Sequence, residues 1–315
     1  MSSKQFVLFQ ILFLCLAFLL ALSLKIVDIV YNENDLVRHY QLSKLYSEAN
    51  RDTINVILGS SAAGNTFNAK YFTTLSQQKT LNLALTGSFG FVGIFNMLQR
   101  VHQQYPELKN VIIMPSIVRW RHELRHESIF EISSNYKFIQ QLQQNKVVDD
   151  LSLEYLSYYI NLKEIYWFAR WYFNYKIVGK AFYKIENDYW AQKRRKYSNG
   201  LLKVSKLRNR KLSDTIHYSK QIVYKMMVTE CEQNALNCIF VHGPTHTQII
   251  ENSPSQIQKI NQFLEANQTK NFIGITRLIG VENAKMGDSI NHIDPSIKDE
   301  MTRLYFTMLE PFLHQ

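Results

Sequence analysis

The chain of 315 residues contains little cysteine and none of the glycine-rich motifs that mark nucleotide-binding loops. Neither Gly-x-x-x-x-Gly-Lys nor Gly-x-Gly-x-x-Gly occurs, so ATP and dinucleotides have no support, and we expect no cofactor. Its three cysteines include no Cys-x-x-Cys pair and lack zinc-ligand spacing, so no metal site is expected. The composition is 46% hydrophobic, which is enough for a large folded core.

Charge is missing from residues 6–24, which Lys4 and Lys25 bracket. A helix of this length reaches about 28 Å, close to the hydrocarbon thickness of a bilayer. A cleaved signal peptide has a shorter apolar core and a cleavage site of small residues, which residues 20–24 do not provide. The residues before Cys15 also lack the small side chains of a lipoprotein site. The pattern therefore favours an uncleaved membrane anchor.

Residues 1–25 are accordingly predicted to form a cytoplasmic tail and a transmembrane anchor. The positive amino terminus and Lys4 precede the anchor, whereas acidic residues soon follow Lys25. The positive-inside bias then places the tail in the cytoplasm and the main domain outside it. We expect a single-pass protein of the bacterial inner membrane with a periplasmic or extracellular domain. The opposite topology would correspond to a cytoplasm-facing, lipase-like enzyme.

The two cysteines outside the anchor are Cys231 and Cys238, seven positions apart. They lie between a predicted helix end and a predicted strand start. In an oxidising compartment they could form a disulfide that closes a small loop. The alternative is a pair of free, half-buried thiols, and the sequence leaves both open.

Residues 26–53 have helical spacing and are predicted to form a juxtamembrane helix or stalk. Residues 54–315 then alternate strand-like and helix-like segments, which predicts an α/β fold with a parallel sheet covered by helices in three layers. Short apolar runs predict the strands, at 54–58, 80–85, 110–114, 238–242 and 272–275. Amphipathic patterns predict the helices, at 90–105, 213–231, 255–266 and a last one after the Asp294 N-cap.

The alternation is interrupted at about 121–212, where we predict a helical insertion. Within it, residues 163–211 carry 14 Lys or Arg, 3 Asp or Glu and 12 aromatic residues, a net charge of +11. Basic residues interleaved with Trp and Tyr suit anionic lipid headgroups at a membrane interface. An anionic polysaccharide or lipid-linked substrate would use the same chemistry, and a plain solvated basic face is the other interpretation. Nucleic acid is not expected as a partner of a domain outside the cytoplasm.

Three short segments carry candidate chemistry. Gly59-Ser60-Ser61 directly follows the first predicted strand, at the edge where open α/β sheets place their sites. Gly87 follows the second strand, where a glycine lets a backbone N–H approach a substrate closely. Asp288 and His292 precede the last helix, so the imidazole could take a proton from a serine while the carboxylate orients it.

The order of these segments resembles the SGNH (GDSL-like) hydrolase superfamily over residues 54–120 and 213–315. The resemblance implies a flavodoxin-like three-layer fold, with Ser61 as nucleophile and His292 as general base. It also implies that Asp288 orients His292 and that the backbone N–H groups of Ser61 and Gly87 form the oxyanion hole. Membrane-anchored proteins of this kind resemble cell-envelope proteins that handle acyl groups on polysaccharides.

The chain departs from the family pattern at two places. The family's aspartate lies three residues before its histidine, whereas Asp288 lies four before His292. The family's Gly-x-Asn-Asp block is missing, and Ser116 or Arg119 is the candidate replacement for its asparagine donor. We expect Ser60, Ser116, Arg119, His242 and His246 to line the substrate pocket.

The sequence therefore supports two hypotheses of different classes. One is a membrane-tethered serine esterase or O-acyltransferase acting on acyl esters of cell-envelope glycans, with envelope polysaccharide machinery as its partner. The other is a catalytically inactive envelope protein that keeps the fold and binds glycan or a protein partner. The first hypothesis predicts that the Ser61 hydroxyl lies within hydrogen-bonding distance of the His292 ring.

Overall fold

The structure is a computed structural model, and it describes residues 2–27, 30, 32–121, 125–133, 136–186, 188–190, 210–213 and 215–313. Two parts of the basic segment predicted at 163–211, residue 187 and residues 191–209, lie outside the described residues. The described residues form an α/β domain preceded by one long apolar helix.

The strands are short, and five of them form a single parallel sheet in the order β2-β1-β3-β6-β8. In chain order the strands are β1 (Asn55–Gly59), β2 (Thr80–Asn82), β3 (Asn110–Met114), β4 (Ile185–Glu186), β5 (Tyr189–Trp190), β6 (Asn237–Phe240), β7 (Thr245–His246), β8 (Phe272–Gly274) and β9 (Gly280–Val281). β4 and β5 form an antiparallel pair in the insertion, and β7 and β9 form a small parallel pair. The prediction of a parallel sheet is confirmed.

The sheet is flanked by helices on both faces. In chain order the α-helices are α1 (Ser3–Val27), α2 (Glu33–Leu45), α3 (Ser61–Thr66), α4 (Ala69–Ser76), α5 (Gly90–Gln104), α6 (His126–Ile132), α7 (Tyr136–Gln144), α8 (Ser152–Tyr159), α9 (Lys163–Trp171), α10 (Tyr218–Gln233), α11 (Thr247–Glu251), α12 (Pro254–Glu265) and α13 (Lys298–Leu309). α9 continues into a wider helical turn over Tyr172–Ile177.

Alternating residues of the sheet enter two separate cores. Ile113 and Phe240 belong to the core beneath α5 and α10, whereas Ile112 and Ile239 belong to the core beneath α3, α4 and α13. β1 and β3 are buried at every position, as parallel strands covered on both faces must be. Each fully buried side chain of this size contributes about 1.5–3 kcal/mol, so these continuous apolar runs fix which segments enter the sheet.

An asparagine in each of three neighbouring strands also aligns the amino ends of the sheet. The Asn110 amide donates to the Asn55 side-chain oxygen at 2.7 Å, and the Asn237 amide donates to the Asn110 side-chain oxygen at 2.7 Å. A buried amide without a hydrogen-bond partner destabilises the folded protein. A shift in strand register would separate these asparagines, so the row favours the observed register.

The last helix was predicted to begin at the Asp294 cap, but a 3-10 turn comes between the cap and the α-helix. The Asp294 side chain accepts a hydrogen bond from the Ser296 backbone N–H at 2.9 Å, which is a cap, but the capped turn over Pro295–Ile297 is a 3-10 turn. α13 follows it directly. β2 is shorter than the predicted run of 80–85, although the chain still pairs with β1 beyond it through Leu85, whose N–H donates to the Gly59 carbonyl at 3.0 Å.

The segment predicted as a juxtamembrane stalk contributes to the folded domain. Within it, α2 buries Val37, Gln41 and Leu45. The Gln41 amide donates to the Ala84 carbonyl at 3.0 Å, and Lys44 Nζ donates to the Asn82 carbonyl at 2.7 Å. These bonds attach α2 to the strand edge beside the candidate site.

The insertion is helical at first, over α6 to α9, and then returns to the domain through β4 and β5. Tyr189 is buried, and its hydroxyl donates to the Leu85 carbonyl at 2.9 Å. Its ring covers Gly64 so closely that a β carbon there would lie 2.4 Å from ring carbons. Glycine at this position is therefore what lets the insertion dock on α3.

Among the described residues, α1 is the one helix with the length and composition to cross a membrane. It has 25 residues, and its most apolar window has a mean hydropathy of 2.7. Most of its large apolar side chains are exposed, and Ala21 and Leu24 near its end are buried. At that end, Lys25 Nζ lies 3.1 Å from a Glu164 carboxylate oxygen on α9.

Cys231 and Cys238 are joined by a disulfide. Cys231 lies near the end of α10 and Cys238 lies in β6, so the bond ties the helix to the strand that follows it. Of the two alternatives that the sequence left open, a disulfide or two free thiols, the structure contains the disulfide.

Candidate active site

The turn after β1 holds the first candidate residues. A β carbon on Gly59 would lie 2.3 Å from the Met114 carbonyl oxygen, so only glycine lets β1 end against β3 and enter a helix at once. Ser60 caps that helix, because its hydroxyl oxygen accepts from the Ala62 N–H at 3.4 Å. Ser61 is the first residue of α3, where helix geometry leaves the backbone N–H without an intrahelical acceptor.

Ser61, His292 and Asp288 form a continuous chain of contacts from the two ends of the sequence. His292 Nε2 lies 2.8 Å from Ser61 Oγ, and His292 Nδ1 lies 2.7 Å from Asp288 Oδ1. With its proton on Nδ1, the ring donates to the carboxylate and accepts from the serine hydroxyl. The distance of 2.8 Å from Ser61 Oγ to the His292 ring lies within the hydrogen-bonding range predicted from the sequence.

The loop geometry explains how Asp288 contacts His292 despite the extra residue between them. The Gly287 N–H donates to the His292 carbonyl at 2.7 Å, which closes the loop around the intervening residues. Met286 and Ile293 form an antiparallel bridge at its base, and the Asp294 N–H donates to the Lys285 carbonyl at 2.8 Å. The loop is therefore a closed hairpin-like turn whose two functional side chains meet on the same side.

This arrangement can activate a serine. A neutral imidazole at hydrogen-bonding distance can remove the hydroxyl proton as the oxygen attacks a carbonyl. A carboxylate on the other ring nitrogen fixes the tautomer and stabilises the imidazolium that results. Ser61 is 8% exposed, so the hydroxyl is mostly shielded from bulk water.

Gly87 lies in the 3-10 turn that follows β2, at the same sheet edge as Ser61. Arg119, from the turn after β3, rests directly on it. A β carbon on Gly87 would lie 2.0 Å from Arg119 Nη2, so glycine is required for this approach. Burial lowers the pKa of Arg119, and nearby Arg125 lowers it further against the opposing effect of Tyr189.

Ser60 and Ser116 serve the structure rather than a pocket. The Ser116 N–H donates to Ser60 Oγ at 3.2 Å, so Ser60 joins the turns after β1 and β3. The two residues are 2% and 0% exposed, respectively. Their expected place in a substrate pocket is therefore not supported. The Ser60 hydroxyl oxygen already accepts hydrogen bonds from two backbone N–H groups, and Ser116 is fully buried.

His242 is also a core residue, which corrects its expected place in the pocket. It is fully buried, and its Nε2 accepts a hydrogen bond from the Trp120 indole N–H at 2.8 Å. Burial lowers the pKa of His242 to about 3, so the ring is neutral and acts as an acceptor. His246 caps α11 by accepting from the Gln248 N–H at 3.1 Å, and burial lowers its pKa as well.

Lys220 is a buried cation beside the site, and it was not among the residues predicted from the sequence. It lies on α10, is 2% exposed, and its Nζ lies 5.7 Å from the centroid of the Phe91 ring. The Nζ atom would lie 3.4 Å from a β carbon on Gly90, whose φ is +53°. Burial lowers the pKa of Lys220 to about 7, and repulsion from Arg119 adds to this effect. A lysine in an amphipathic helix gives no sequence signal for burial.

A cleft of about 540 Å³ begins beside Gly87, at Ser88, and extends to Lys25 at the end of α1. Its other lining residues include Glu131, Tyr158, Trp167 and Trp171. Burial raises the pKa of Glu131 to about 7, with Asp35 adding to the shift. Ser61 and His292 do not line this cleft, so it borders the candidate site without containing it.

The described part of the basic segment exposes apolar and aromatic side chains beside α1. The most exposed of these are Tyr166 (59%), Phe173 (56%) and Ile177 (64%). α1 packs against both α9 and α8, with Lys25 Nζ 3.8 Å from the centroid of the Tyr158 ring. Exposed rings beside basic residues are typical of a surface that contacts a membrane interface.

No family model matches the chain, and no curated protein matches it. Among the described residues there is also no group of three or more His, Cys, Asp or Glu side chains that could hold a metal ion.

Proposed function

We propose that the protein is a membrane-tethered serine esterase or O-acyltransferase. The observation that carries this proposal is the chain of contacts from Ser61 through His292 to Asp288. Three side chains of these types at these distances are the arrangement that activates a serine for acyl transfer. Their convergence from positions 231 residues apart in sequence also argues against a chance neighbour contact.

The proposal includes membership of the SGNH-like hydrolases. The strand order, renumbered within the sheet as 2-1-3-4-5, is that of flavodoxin-like doubly wound folds. Ser61 follows the first strand of the sheet, Gly87 follows the second, and His292 precedes the last helix. This is the order of the family's blocks. These are the features that support a flavodoxin-like SGNH arrangement.

In the proposed reaction the Ser61 oxygen attacks an ester carbonyl while His292 takes the hydroxyl proton. The backbone N–H groups of Ser61 and Gly87 stabilise the negative charge on the carbonyl oxygen. When the tetrahedral intermediate collapses, His292 returns the proton to the leaving alcohol and an acyl-serine remains. Water or a sugar hydroxyl, deprotonated by His292, then attacks the acyl-serine. The bond from the acyl carbon to the Ser61 oxygen breaks, the acyl group leaves as the free acid or the sugar ester, and His292 returns the proton to the serine oxygen.

Arg119 is our candidate for the donor that replaces the missing asparagine. Its guanidinium rests on Gly87, next to one of the proposed oxyanion donors. A guanidinium carries several N–H groups in a fixed fork and remains charged even when it is partly buried. It can therefore stabilise developing negative charge at this position.

The proposed substrates are acyl esters on cell-envelope glycans. α1 would hold the domain at the periplasmic or extracellular face of a bacterial inner membrane, near envelope polysaccharide machinery. The cleft between Ser88 and Lys25 has Trp167 and Trp171 in its wall, and such rings can stack on sugar rings. The exposed rings and basic residues of α9 would contact the anionic lipid or glycan surface.

One observation favours the second candidate function, an inactive envelope protein that binds glycan or a partner. Ser61 is 8% exposed and lies outside the cleft, while Arg119 fills the space above Gly87. A protein that only binds would use the cleft and never cleave an ester. The two functions differ in whether the chain turns over a small acyl ester.

The test compares hydrolysis of 4-nitrophenyl acetate by the full chain in detergent with that of Ser61→Ala. We expect turnover that falls by about 10³-fold or more in the variant, because the nucleophile is removed. Ser157→Ala, at an exposed serine in the helical insertion, is the matched control and should retain wild-type activity. Equal rates in the wild type and Ser61→Ala, or no turnover by either, would favour the inactive binding protein.

A further inference from the structure

Two cations beside the candidate site have no anionic partner among the described residues. Arg119 and Lys220 make no salt bridge with any residue that the structure describes, and Nε of Arg119 is buried without a hydrogen-bond partner there. Arg119 is the charged group that shifts the pKa of Lys220, and it lowers that pKa by repulsion. Lys220 is buried and Arg119 is partly buried. Because burying an unpaired charge costs several kcal/mol, a ligand of opposite charge would offset part of this cost.

Both cations lie close to the same short segment. Arg119 rests on Gly87, and Lys220 Nζ approaches Gly90, three residues further along. Each glycine is placed where a side chain would interfere: a β carbon on Gly87 would collide with the guanidinium, and Gly90 has a positive φ that other residues rarely adopt. Gly87 thus leaves room for the Arg119 guanidinium, and Gly90 allows the turn that brings the start of α5 near Lys220.

The segment is also the amino-terminal end of a helix. α5 begins at Gly90 and runs for 15 residues, so the positive end of its dipole lies close to Lys220. A lysine at this end of a helix is repelled by the dipole, which makes its burial there still more costly. An anion would be attracted by the helix end, by Lys220 and by Arg119 together.

We propose that Arg119, Lys220 and the start of α5 form a subsite for an anionic group, a carboxylate or a phosphate, that the substrate carries beside its ester. The subsite adjoins Gly87, so an anion held there lies next to the ester that Ser61 attacks. This inference rests on the proposed function for its place in a reaction, but the binding of an anion by the subsite does not require catalysis.

The chemistry of the subsite narrows the substrate class. The acyl ester would belong to an acidic sugar or to a phosphorylated carrier, and a neutral glycan would leave the cations unpaired. The lowered pKa of Lys220 fits this role: an anion that binds would hold the proton on the amine and complete an ion pair. Lys220 Nζ lies near Gly90, at the start of α5, and Arg119 rests on Gly87, so we assign Lys220 to a substituent of the substrate and Arg119 to the side nearer the reacting carbonyl.

Calorimetric titration of the full chain in detergent with inorganic phosphate, and separately with glucuronate, tests the subsite. We expect wild type to bind at least one of these anions, and Lys220→Met to bind it about tenfold or more weakly. The anion that binds better identifies the source of the negative charge. Lys225→Met, at an exposed lysine on the same helix, is the matched control and should bind like the wild type.

Further variants separate this proposal from misfolding and from the catalytic proposal. Lys220→Arg keeps the charge and should retain most of the binding, and circular dichroism would establish that each variant is folded. Ser61→Ala should bind the anion like wild type, so a failure of the esterase test leaves this result intact. Absence of binding by the wild type, or equal binding by the wild type and Lys220→Met, would overturn the subsite.

A kinetic comparison places the subsite in the reaction. The neutral ester 4-nitrophenyl acetate and the anionic ester mono-4-nitrophenyl succinate differ by a carboxylate near the acyl group. Lys220→Met should lower kcat/KM for the anionic ester about tenfold more than for the neutral ester. Equal losses for the two esters would show that Lys220 does not recognise the anion during turnover.

Discussion

At the scale of single residues, the catalytic proposal depends on how Asp288 contacts His292. The family pattern places the carboxylate three residues before the histidine, whereas this chain separates them by four. The bond from the Gly287 N–H to the His292 carbonyl closes the turn so that the carboxylate reaches Nδ1 at 2.7 Å. A backbone hydrogen bond of this kind has no sequence signal, so the spacing alone could not decide whether Asp288 takes part.

Removal of the Asp288 carboxylate should slow ester hydrolysis strongly while Ser61 and His292 remain. We expect Asp288→Ala to lower kcat by about 10²–10⁴-fold, because the imidazole loses the group that fixes its tautomer and stabilises its charge. Initial rates with 4-nitrophenyl acetate measure the effect. Asp149→Ala, at an exposed carboxylate in the insertion, should leave the rate unchanged. Equal rates for Asp288→Ala and the wild type would remove Asp288 from the mechanism.

Lys220 should make the stability of the protein depend on pH. Its pKa is about 7 in the folded protein and 10.5 in its ordinary state, so the unfolded chain binds more protons between these values. The free energy of unfolding should therefore rise with pH from about 7 to about 10.5 through this group. Below pH 7 both states carry the proton, and the cost of the buried charge is fully present.

Lys220→Met removes that cost and tests the prediction directly. We expect the variant to be more stable than the wild type by about 1–3 kcal/mol at pH 6, with the difference shrinking as the pH approaches 10. Urea unfolding at both pH values, without phosphate or other added anions that could bind the subsite, measures it. A difference that is the same at pH 6 and pH 10 would show that Lys220 does not titrate in this range.

At the scale of elements, the sequence predicted the sheet better than it predicted what docks on it. β1 and β3 are fully buried runs of apolar residues, and their burial on both faces gives a pattern that is readable without a structure. Tyr189 gives no such signal, because its burial depends on contact with Gly64, 125 positions away in sequence. Contacts between distant segments also explain why α2 was predicted as a stalk. The burial of its few core residues depends on their contacts with the sheet edge, which the sequence does not indicate.

The docking of the insertion on α3 should be sensitive to the size of the residue at position 64. We expect Gly64→Ala to cost about 1–3 kcal/mol of unfolding free energy, because the added methyl overlaps the Tyr189 ring. Thermal and urea unfolding measure the loss. In a Tyr189→Ala background the same change should cost much less, since the ring is gone. Equal costs in the two backgrounds would mean that Gly64 and Tyr189 are not in contact.

At the scale of the whole molecule, our proposal uses α1 to place the chemistry at a membrane. Its length and apolar surface are those of a membrane span, and α9 and Lys25 connect its end to the domain. The cleft that starts at Ser88 has Lys25, near the end of this helix, among its lining residues. If α1 is the anchor that we propose, a substrate attached to the membrane surface could enter the cleft while the protein stays anchored.

The proposed topology can be tested with an alkaline phosphatase fused after Gln315. The phosphatase folds only outside the cytoplasm, so we expect an active fusion if the domain lies in the periplasm. The same fusion on a chain that lacks residues 1–25 is the control and should be inactive, because it has no anchor to direct export. An inactive full-length fusion produced in equal amount would place the domain in the cytoplasm.

Covalent labelling with a fluorophosphonate tests the central claim most directly, because this reagent reacts with a serine that a neighbouring base has activated. The Ser61 oxygen would displace fluoride and form a phosphonyl ester, which peptide mass spectrometry can locate. Our account predicts one adduct at Ser61 in the full-length protein, abolished by His292→Ala and preserved in Lys225→Met. A protein that stays unlabelled, or that is labelled equally well after His292→Ala, would contradict it.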